Sequence, residues 1–291
     1  MKKRISFIIN PISGGLKKDA FPGLVEQTIN SSLFDYELHF TKSAEHNLEL
    51  ASQSVEEKAD IIAAVGGDGT INHVAKHLVD SNIPLAIIPF GSGNGFARHL
   101  GIPMNPKKAL ELINLYKVMQ VDSGMANDIF FMNVAGAGFD AHISKMFAEA
   151  ESRGFSSYIK LTLKEFAAYK PSEYDLVIDG ETKKLKAFII CIANGSQYGN
   201  NAWIAPTAKL SDGKFQITVL NPFRMYQVPI IAWQLFAKHI DRSVYTTCFE
   251  GKEILLKRPE AGVFNIDGEP VMMEKDIKIR MMSNSLQVIV P

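Results

Sequence analysis

The feature that most constrains this chain is an alternation confined to its N-terminal part. Short, nearly unbroken apolar runs, RISFIIN (4–10), YELHFT (36–41), DIIAAVG (60–66) and LAIIP (85–89), are each followed by a stretch of helical character. The helices are expected near 16–32, up to 58, from Thr70 onward and after Asn94. Strands without polar alternation are buried on both faces, and intervening helices supply both covers, so the pattern specifies a parallel sheet. Ligands of such sheets collect beyond the carboxyl ends of the strands. Three of those ends carry glycine-rich loops: NPISGG (10–15), GGDGT (66–70) and PFGSGN (89–94).

Glycine lets a backbone approach an oxygen-rich ligand closely and leaves N–H groups free to point at phosphate. A helix starting directly after the loop adds its positive end. In GGDGT, Gly66, Gly67 and Gly69 would supply the close approach, and Thr70 would cap the helix or bond a phosphate oxygen. Asp68 is the anomaly, because a carboxylate beside phosphates repels them unless a divalent cation lies between; Mg2+ accepts both kinds of oxygen. One such loop alone reads as an ordinary turn, but three at the strand ends of one sheet read as a nucleotide site. The Gly-x-x-x-x-Gly-Lys-Ser/Thr pattern of P-loop enzymes is absent. The spacing Gly91, Gly93, Gly95 also misses the dinucleotide fingerprint and its downstream acid.

After residue 125 the grammar changes. YDLVIDGETKKLKAFIICIANG (174–195), KLSDGKFQITVLN (209–221) and VFNIDGEPV (263–271) read as strands joined by Asp-Gly turns, a strong hairpin signal. Helices are expected near 155–170 and 224–240. The expected fold is therefore α/β: a doubly wound parallel nucleotide-binding domain over 1–124, then a mainly antiparallel β domain over 125–282.

Lys and Arg balance Asp and Glu at a net charge of zero, so no nucleic acid partner is expected. Cys191 and Cys248 form no disulfide framework and suit a reducing, cytoplasmic setting. MKKRISFIIN reads as a first strand rather than a signal peptide. The longest apolar run, 228–237, is half the ~20 residues of a spanning helix, so any contact with the inner face of a membrane would be peripheral. The segment 222–240 mixes Tyr226, Trp233 and Phe236 with Arg224 and Lys238. It reads preferentially as a helix packed on the β domain, with an interfacial lipid-contacting helix as the alternative.

The three loops together with PFGSGNGFARHLGIP, VDSG (121–124), NVAGAGFDA (133–141), LSDGKF (210–215) and NIDGE (265–269) resemble, in order and over nearly the whole chain, the diacylglycerol kinase catalytic-domain family. That family includes bacterial lipid kinases, sphingosine kinases and ceramide kinases. The resemblance implies an N-terminal α/β ATP-binding domain, a C-terminal β-sandwich for the lipid, and an active site in the cleft between them. The last strand, 283–291, would return to the first domain. It further implies that Asn10, Ser13, Gly14, Gly67, Thr70, Gly91, Ser92 and Asn94, with Gly93 in the same loop, line an ATP pocket. Asp68 would position Mg2+ and the γ-phosphate. Asp122 matches an acidic position ahead of the second domain and is grouped with the metal residues, while Lys209 and Asp212 match a structural magnesium site. Glu269 matches the general base for the lipid hydroxyl.

Ile-Asp-Gly-Glu occurs twice, at 178–181 and 266–269. The first continues into TKKLK and reads as an exposed hairpin. The second has apolar flanks, VFN and PVMM, which draw Glu269 toward a buried cleft. The chain departs from the family pattern at Gly95, where many members have Asp, and at His73, where Glu is usual. His73 and His77 share a helix face, and helix histidines without a third ligand nearby read as structural rather than as zinc ligands. The expected activity is an ATP- and Mg2+-dependent kinase of a lipid hydroxyl, on diacylglycerol or a related lipid at a membrane surface. Sphingoid-base or ceramide kinase, NAD kinase and a non-catalytic nucleotide- or lipid-binding homologue stay open, as does a homodimer.

Overall fold

The computed structural model describes residues 2–13, 18–150 and 155–291. The chain forms two compact units, Met1–Val121 with Asn284–Pro291, and Asp122–Ser283.

The first unit contains β1 (Lys3–Ile9), α1 (Phe21–Thr28), β2 (Phe34–Phe40), α2 (Ala44–Glu56), β3 (Ile61–Gly66), α3 (Asp68–Leu78), β4 (Leu85–Pro89), α4 (Gly95–His99) and α5 (Pro106–Leu115). Its sheet runs in the order β2-β1-β3-β4, all neighbours parallel, and Val288 of the last strand pairs parallel with Leu85. Every residue of β3 and β4 is buried, which is why both read as unbroken apolar runs. α3 turns Ile71, Val74, Ala75 and Leu78 inward at helical spacing. Two helices start on side-chain caps. Ser43 accepts the His46 amide at 3.2 Å, and Asn105 accepts the Lys108 amide at 3.2 Å with Pro106 in the first turn. The chain goes outward from β1 in opposite directions, to β2 on one side and β3 on the other. The loops after β1 and β3 therefore flank the topological switch point, where open parallel sheets bind ligands.

The second unit takes over within β5 (Val118–Ala126) and continues through β6 (Ile129–Phe131), β7 (Val134–Gly138), α6 (Phe139–Ala148), α7 (Phe155–Phe166), β8 (Ser172–Ile178), β9 (Glu181–Ala187), β10 (Ile189–Ala193), β11 (Phe215–Leu220), α8 (Val228–Phe236), β12 (Thr246–Gly251), β13 (Glu253–Lys257), β14 (Gly262–Ile266), β15 (Glu269–Met273) and the first part of β16 (Asp276–Ile289). One antiparallel sheet has the order β12-β11-β10-β7-β14-β15; the other joins β16, β13, β8 and β9, also antiparallel. Their inner faces share one apolar core that includes Phe131, Leu176, Ile190, Phe215, Ile254, Phe264 and Ile277. Truncating one of these aromatics to Ala would cost about 3–5 kcal/mol. The unit is thus a β-sandwich with helices attached.

Two of the three Asp-Gly signals are two-residue hairpins, β8–β9 and β14–β15. The third is not. Residues 209–214 form no strand, because the turn is held elsewhere: Asp122 N–H donates to Leu210 O at 2.6 Å, and Gly213 N–H donates to the Asp122 carboxylate at 2.7 Å. The strand expected across 209–221 is confined to Phe215–Leu220.

Candidate functional site

In the first unit the three glycine loops are tied to one another by backbone and short polar side chains. Asn10 N–H extends the β1–β3 ladder onto Val65 O, and its side-chain amide donates to Thr70 Oγ1 at 3.1 Å. Phe90 N–H donates to Gly66 O at 2.7 Å. Asn94 N–H donates to the Asp68 carboxylate at 2.8 Å, bringing the acidic first turn of α3 onto the third loop. Asn94 is buried, takes a left-handed φ of 51°, and closes its own loop by accepting Gly91 N–H at 3.0 Å and donating to Gly91 O at 2.7 Å. Such short amide side chains are among the few that tolerate this backbone region.

The glycines also serve contact between loops. A Cβ placed on Gly91 would lie 2.7 Å from the Cα of Gly67, and one on Gly67 would lie 3.2 Å from the Cα of Gly91. These two loops pack backbone against backbone, and only glycine allows that separation. Gly66 is likewise filled over, since its Cβ would sit 2.5 Å from the Thr70 side chain. Gly69 falls in the first turn of α3, where the leading amides lack intrahelical acceptors and the helix end is positive. Ser92 is exposed at the tip of the third loop, and Gly93 O is held by Arg98 Nε at 2.9 Å. Ser13 Oγ donates to Asn10 O at 3.3 Å. Gly14 lies outside the described residues.

Lys18 belongs to this assembly although nothing in its spacing announced it. The side chain is buried, donates to Ser13 O at 2.9 Å and Ser13 Oγ at 3.0 Å, and lies 4.8 Å from the Phe90 ring centre. Burial lowers its pKa to about 8, leaving it still mainly protonated near neutrality. Beside it opens a cleft of about 610 Å³ lined by Phe21, Leu24, Phe90 and Pro106 among others. His73 and His77 sit half-buried on α3, and burial is the main cause lowering the pKa of His77. Among the described residues no three His, Cys, Asp or Glu side chains cluster to hold a metal ion.

The remaining sequence-derived residues belong to the second unit. Asp122 is buried and, besides the Gly213 contact, its carbonyl accepts Asn194 Nδ2 at 2.7 Å. Lys209 and Asp212 are exposed on the turn that Asp122 anchors, and Asp212 Oδ1 accepts Lys214 N–H at 3.2 Å.

Glu269 stands on a different turn, and its surroundings depart from expectation. Its apolar flanks do not draw it inward: Glu269 is exposed, and so is Met272. What is buried lies just before it. Asp267 accepts the amides of Met132, Asn133 and Val134 at 2.8–2.9 Å and returns its own N–H to Val134 O at 2.8 Å. The buried Asn265 accepts Gly268 N–H at 3.0 Å and donates to Asp140 Oδ2 at 3.3 Å, an atom that also accepts Tyr198 OH at 3.3 Å. Asp140 starts α6 over Gly136, whose Cβ would lie 2.6 Å from the same carboxylate oxygen. Its other oxygen is buried without a hydrogen-bond partner, and burial raises the Asp140 pKa to about 7. In the sequence Asp140 and Asn265 lie within NVAGAGFDA and NIDGE, where neither stands out by type or spacing. Their roles depend on which strands pair, which no local pattern encodes.

Comparisons with known proteins agree across both units. Residues 4–126 match the family described as "Diacylglycerol kinase catalytic domain", and residues 133–290 match the "YegS C-terminal NAD kinase beta sandwich-like domain". The chain is 31% identical over 250 residues to a "Probable lipid kinase YegS-like" of Yersinia enterocolitica, covering 84% of this chain and 81% of that protein. It is 26% identical over 278 residues to a "Diacylglycerol kinase" of Bacillus subtilis, covering 92% and 90%. The crystal structure of a diacylglycerol kinase from Bacillus anthracis superposes with a TM-score of 0.75 over 99% of this chain and 97% of that one. The two are 21% identical, so this likeness speaks for the fold alone.

Proposed function

Because the chain belongs to the diacylglycerol kinase catalytic-domain family, and so to a group of lipid kinases, we propose that it transfers the γ-phosphoryl group of ATP to the hydroxyl of a lipid, with diacylglycerol as the first candidate acceptor. The observation that carries this reading is the joining of the second and third glycine loops through the Asp68–Asn94 hydrogen bond and the Gly67–Gly91 contact, next to the switch point of the sheet. Phosphoryl transfer asks a protein chiefly for positioning and charge neutralisation, and a pre-tied set of loops suits that demand.

In this reading the leading amides of α3 take phosphate oxygens, favoured by the positive helix end. Asn10 and Thr70, already bonded to each other, fix the wall of the pocket. The Asp68 carboxylate is the protein oxygen that would hold magnesium together with the phosphates, a donor set this ion accepts. Bound there, the ion would offset the charge gathering on the transferred group. A structural magnesium near Lys209 and Asp212 would draw on the Asp212 carboxylate and main-chain oxygens. Glu269 acts as general base. As the lipid oxygen bonds to the γ-phosphorus and the β–γ bridging bond breaks, Glu269 receives the hydroxyl proton and ADP departs.

The test is incubation of the pure chain with γ-labelled ATP, magnesium, and separately dispersed diacylglycerol, ceramide, sphingoid base and NAD. Label in phosphatidic acid supports the proposal as stated. Label in the sphingolipids keeps the chemistry and changes the acceptor. Label only in NADP, or ATP binding without transfer to any acceptor, overturns it.

A further inference from the structure

Helix α8 is apolar on two faces, and among the described residues only one of them is packed against its own unit. Ile231, buried, and Leu235, partly buried, pack with Phe139, Phe188, Leu220 and Ile240. The preference for a packed helix therefore holds for that face. Around the other side Ile230, Trp233 and Phe236 follow one another at three-residue steps and are 46%, 57% and 44% exposed, with Tyr226, 72% exposed, in the 3-10 turn (Met225–Gln227) just before the helix. No helix among the described residues is long and apolar enough to cross a membrane, so this strip is not part of a span. A contiguous exposed apolar strip is unusual on a protein surface and marks a contact site.

Charge says which contact. Across residues 222–242 Asp241, partly buried, is the single acid, while exposed Arg224 precedes the strip and exposed Lys238, His239 and Arg242 follow it, so each end keeps a cationic excess. Lys238 Nζ lies 3.8 Å from the Trp203 ring centre, near the C-terminal end of the helix. A second copy of the chain docking by a two-fold axis would set one cationic end against another in either helix orientation, because both ends carry the same sign. An anionic bilayer meets both ends favourably. Its headgroup region takes the Arg and Lys side chains, and Trp and Tyr favour the same depth.

We propose that the exposed face of α8 is a peripheral docking surface for an anionic lipid bilayer, with Ile230, Trp233 and Phe236 entering the acyl boundary and Arg224, Lys238 and Arg242 meeting the headgroups. The physics of the surface stands by itself, and only its purpose, delivery of the acceptor, rests on the lipid-kinase reading.

The test is sedimentation of the intact chain with phosphatidylcholine vesicles, with and without phosphatidylglycerol, read alongside quenching of tryptophan fluorescence by brominated acyl chains. The wild type is expected to bind the anionic vesicles, to be quenched, and to release as salt is raised. Ile230→Ser combined with Trp233→Ser should weaken binding at least about tenfold. Arg224→Gln combined with Arg242→Gln should abolish the preference for phosphatidylglycerol while circular dichroism stays unchanged. The inference is overturned if the wild type ignores anionic vesicles at low salt, or if the Ser variant binds as well as the wild type. It is equally overturned if the wild type is a dimer in solution that the Ser variant converts to monomer. Transfer of label to dispersed short-chain diacylglycerol is measured in parallel. A wild type that transfers label but does not dock sinks this inference alone, and a wild type that docks without transfer to any lipid sinks the kinase reading.

Discussion

The two Ile-Asp-Gly-Glu turns of the second unit share a sequence and a backbone, and they differ in what lies beneath them. In both, Ile and Glu are the paired residues that close a two-residue loop. Asp179 and Gly180 have φ of 47° and 90°, and Asp267 and Gly268 have 50° and 94°, the positive pair that favoured hairpin turns require. In both, the aspartate returns its N–H to a neighbouring strand and takes amides on its carboxylate. Asp179 takes those of Lys252 and Glu253, which are exposed. Asp267 takes those of Met132, Asn133 and Val134, which are buried. The residue before the isoleucine is Val177 in one case and Asn265 in the other, and Asn265 links its turn to Asp140. A turn made for connection needs only the first arrangement. A turn that must present a carboxylate at a fixed position benefits from the second.

The sharpest way to break this contrast is to remove each glutamate in turn. Glu269→Gln is expected to lower turnover by about 10²–10⁴-fold, the usual worth of a placed general base, and to leave ATP binding nearly unchanged. Glu181→Gln should leave both alone, since that side chain is exposed and engages Lys183 at 2.8 Å. Steady-state kinetics with a separate nucleotide-binding titration decide the matter. A Glu269→Gln enzyme with near-normal turnover would falsify the assignment.

Next in size is the anchoring itself. Asp267→Ala strands three buried amides, each costing about 1–3 kcal/mol when left without an acceptor. The second unit should lose on the order of several kcal/mol in urea unfolding. Asp179→Ala exposes amides that water can reach, and should cost about 1 kcal/mol or less. Equal losses for the two substitutions would mean that burial beneath the turn is not what distinguishes them.

The fold was legible where local pattern and burial coincide. β3 and β4 announced a parallel sheet because both their faces are covered, and the two Ile-Asp-Gly-Glu stretches announced hairpins because positive φ limits which residues can serve. Asp212-Gly213 carries the same dipeptide and forms no hairpin, since Asp122, far away in sequence, captures the Gly213 amide. The glycines of GGDGT and PFGSGN pointed to close approach, but the partner of Gly67 is first of all Gly91, and a contact between loops leaves no trace in either loop alone. The apolar flanks of Glu269 misled about its exposure for a related reason. Flanking residues report the average burial of a strand, whereas the core-facing positions here are taken by Phe264, Ile266, Val271 and Met273, leaving Glu269 and Met272 outside.

A smaller effect separates the turns by pH. Burial raises the Asp140 pKa to about 7, above the 3.8 expected of the unfolded chain. Between those values the folded state binds the extra proton, so stability falls as pH rises toward 7 and levels off beyond it. From about pH 6 to about pH 8 the second unit should lose about 1 kcal/mol through this group. Asp140→Asn, measured by urea midpoints at both pH values, should remove that slope. Substitution of Asp179 should not, because the first turn rests on no such buried acid. A slope unchanged in Asp140→Asn would detach this carboxylate from the stability of the second turn.

The smallest expected effect is at the exposed end of the comparison. Lys183 holds Glu181 at 2.8 Å and lowers its pKa, by hydrogen bond first and charge second. A carboxylate with a lowered folded pKa contributes stability above its unfolded pKa and loses it as pH falls. Here both side chains lie in water, which supplies the glutamate with equivalent partners and lets salt screen the pair. Lys183→Ala should therefore leave thermal unfolding unchanged at any salt concentration, within the error of the measurement. A measurable, salt-sensitive loss would show that the first turn also depends on its glutamate. The difference between the turns would then have to be found in the chemistry of Glu269 rather than in how deeply each turn is anchored.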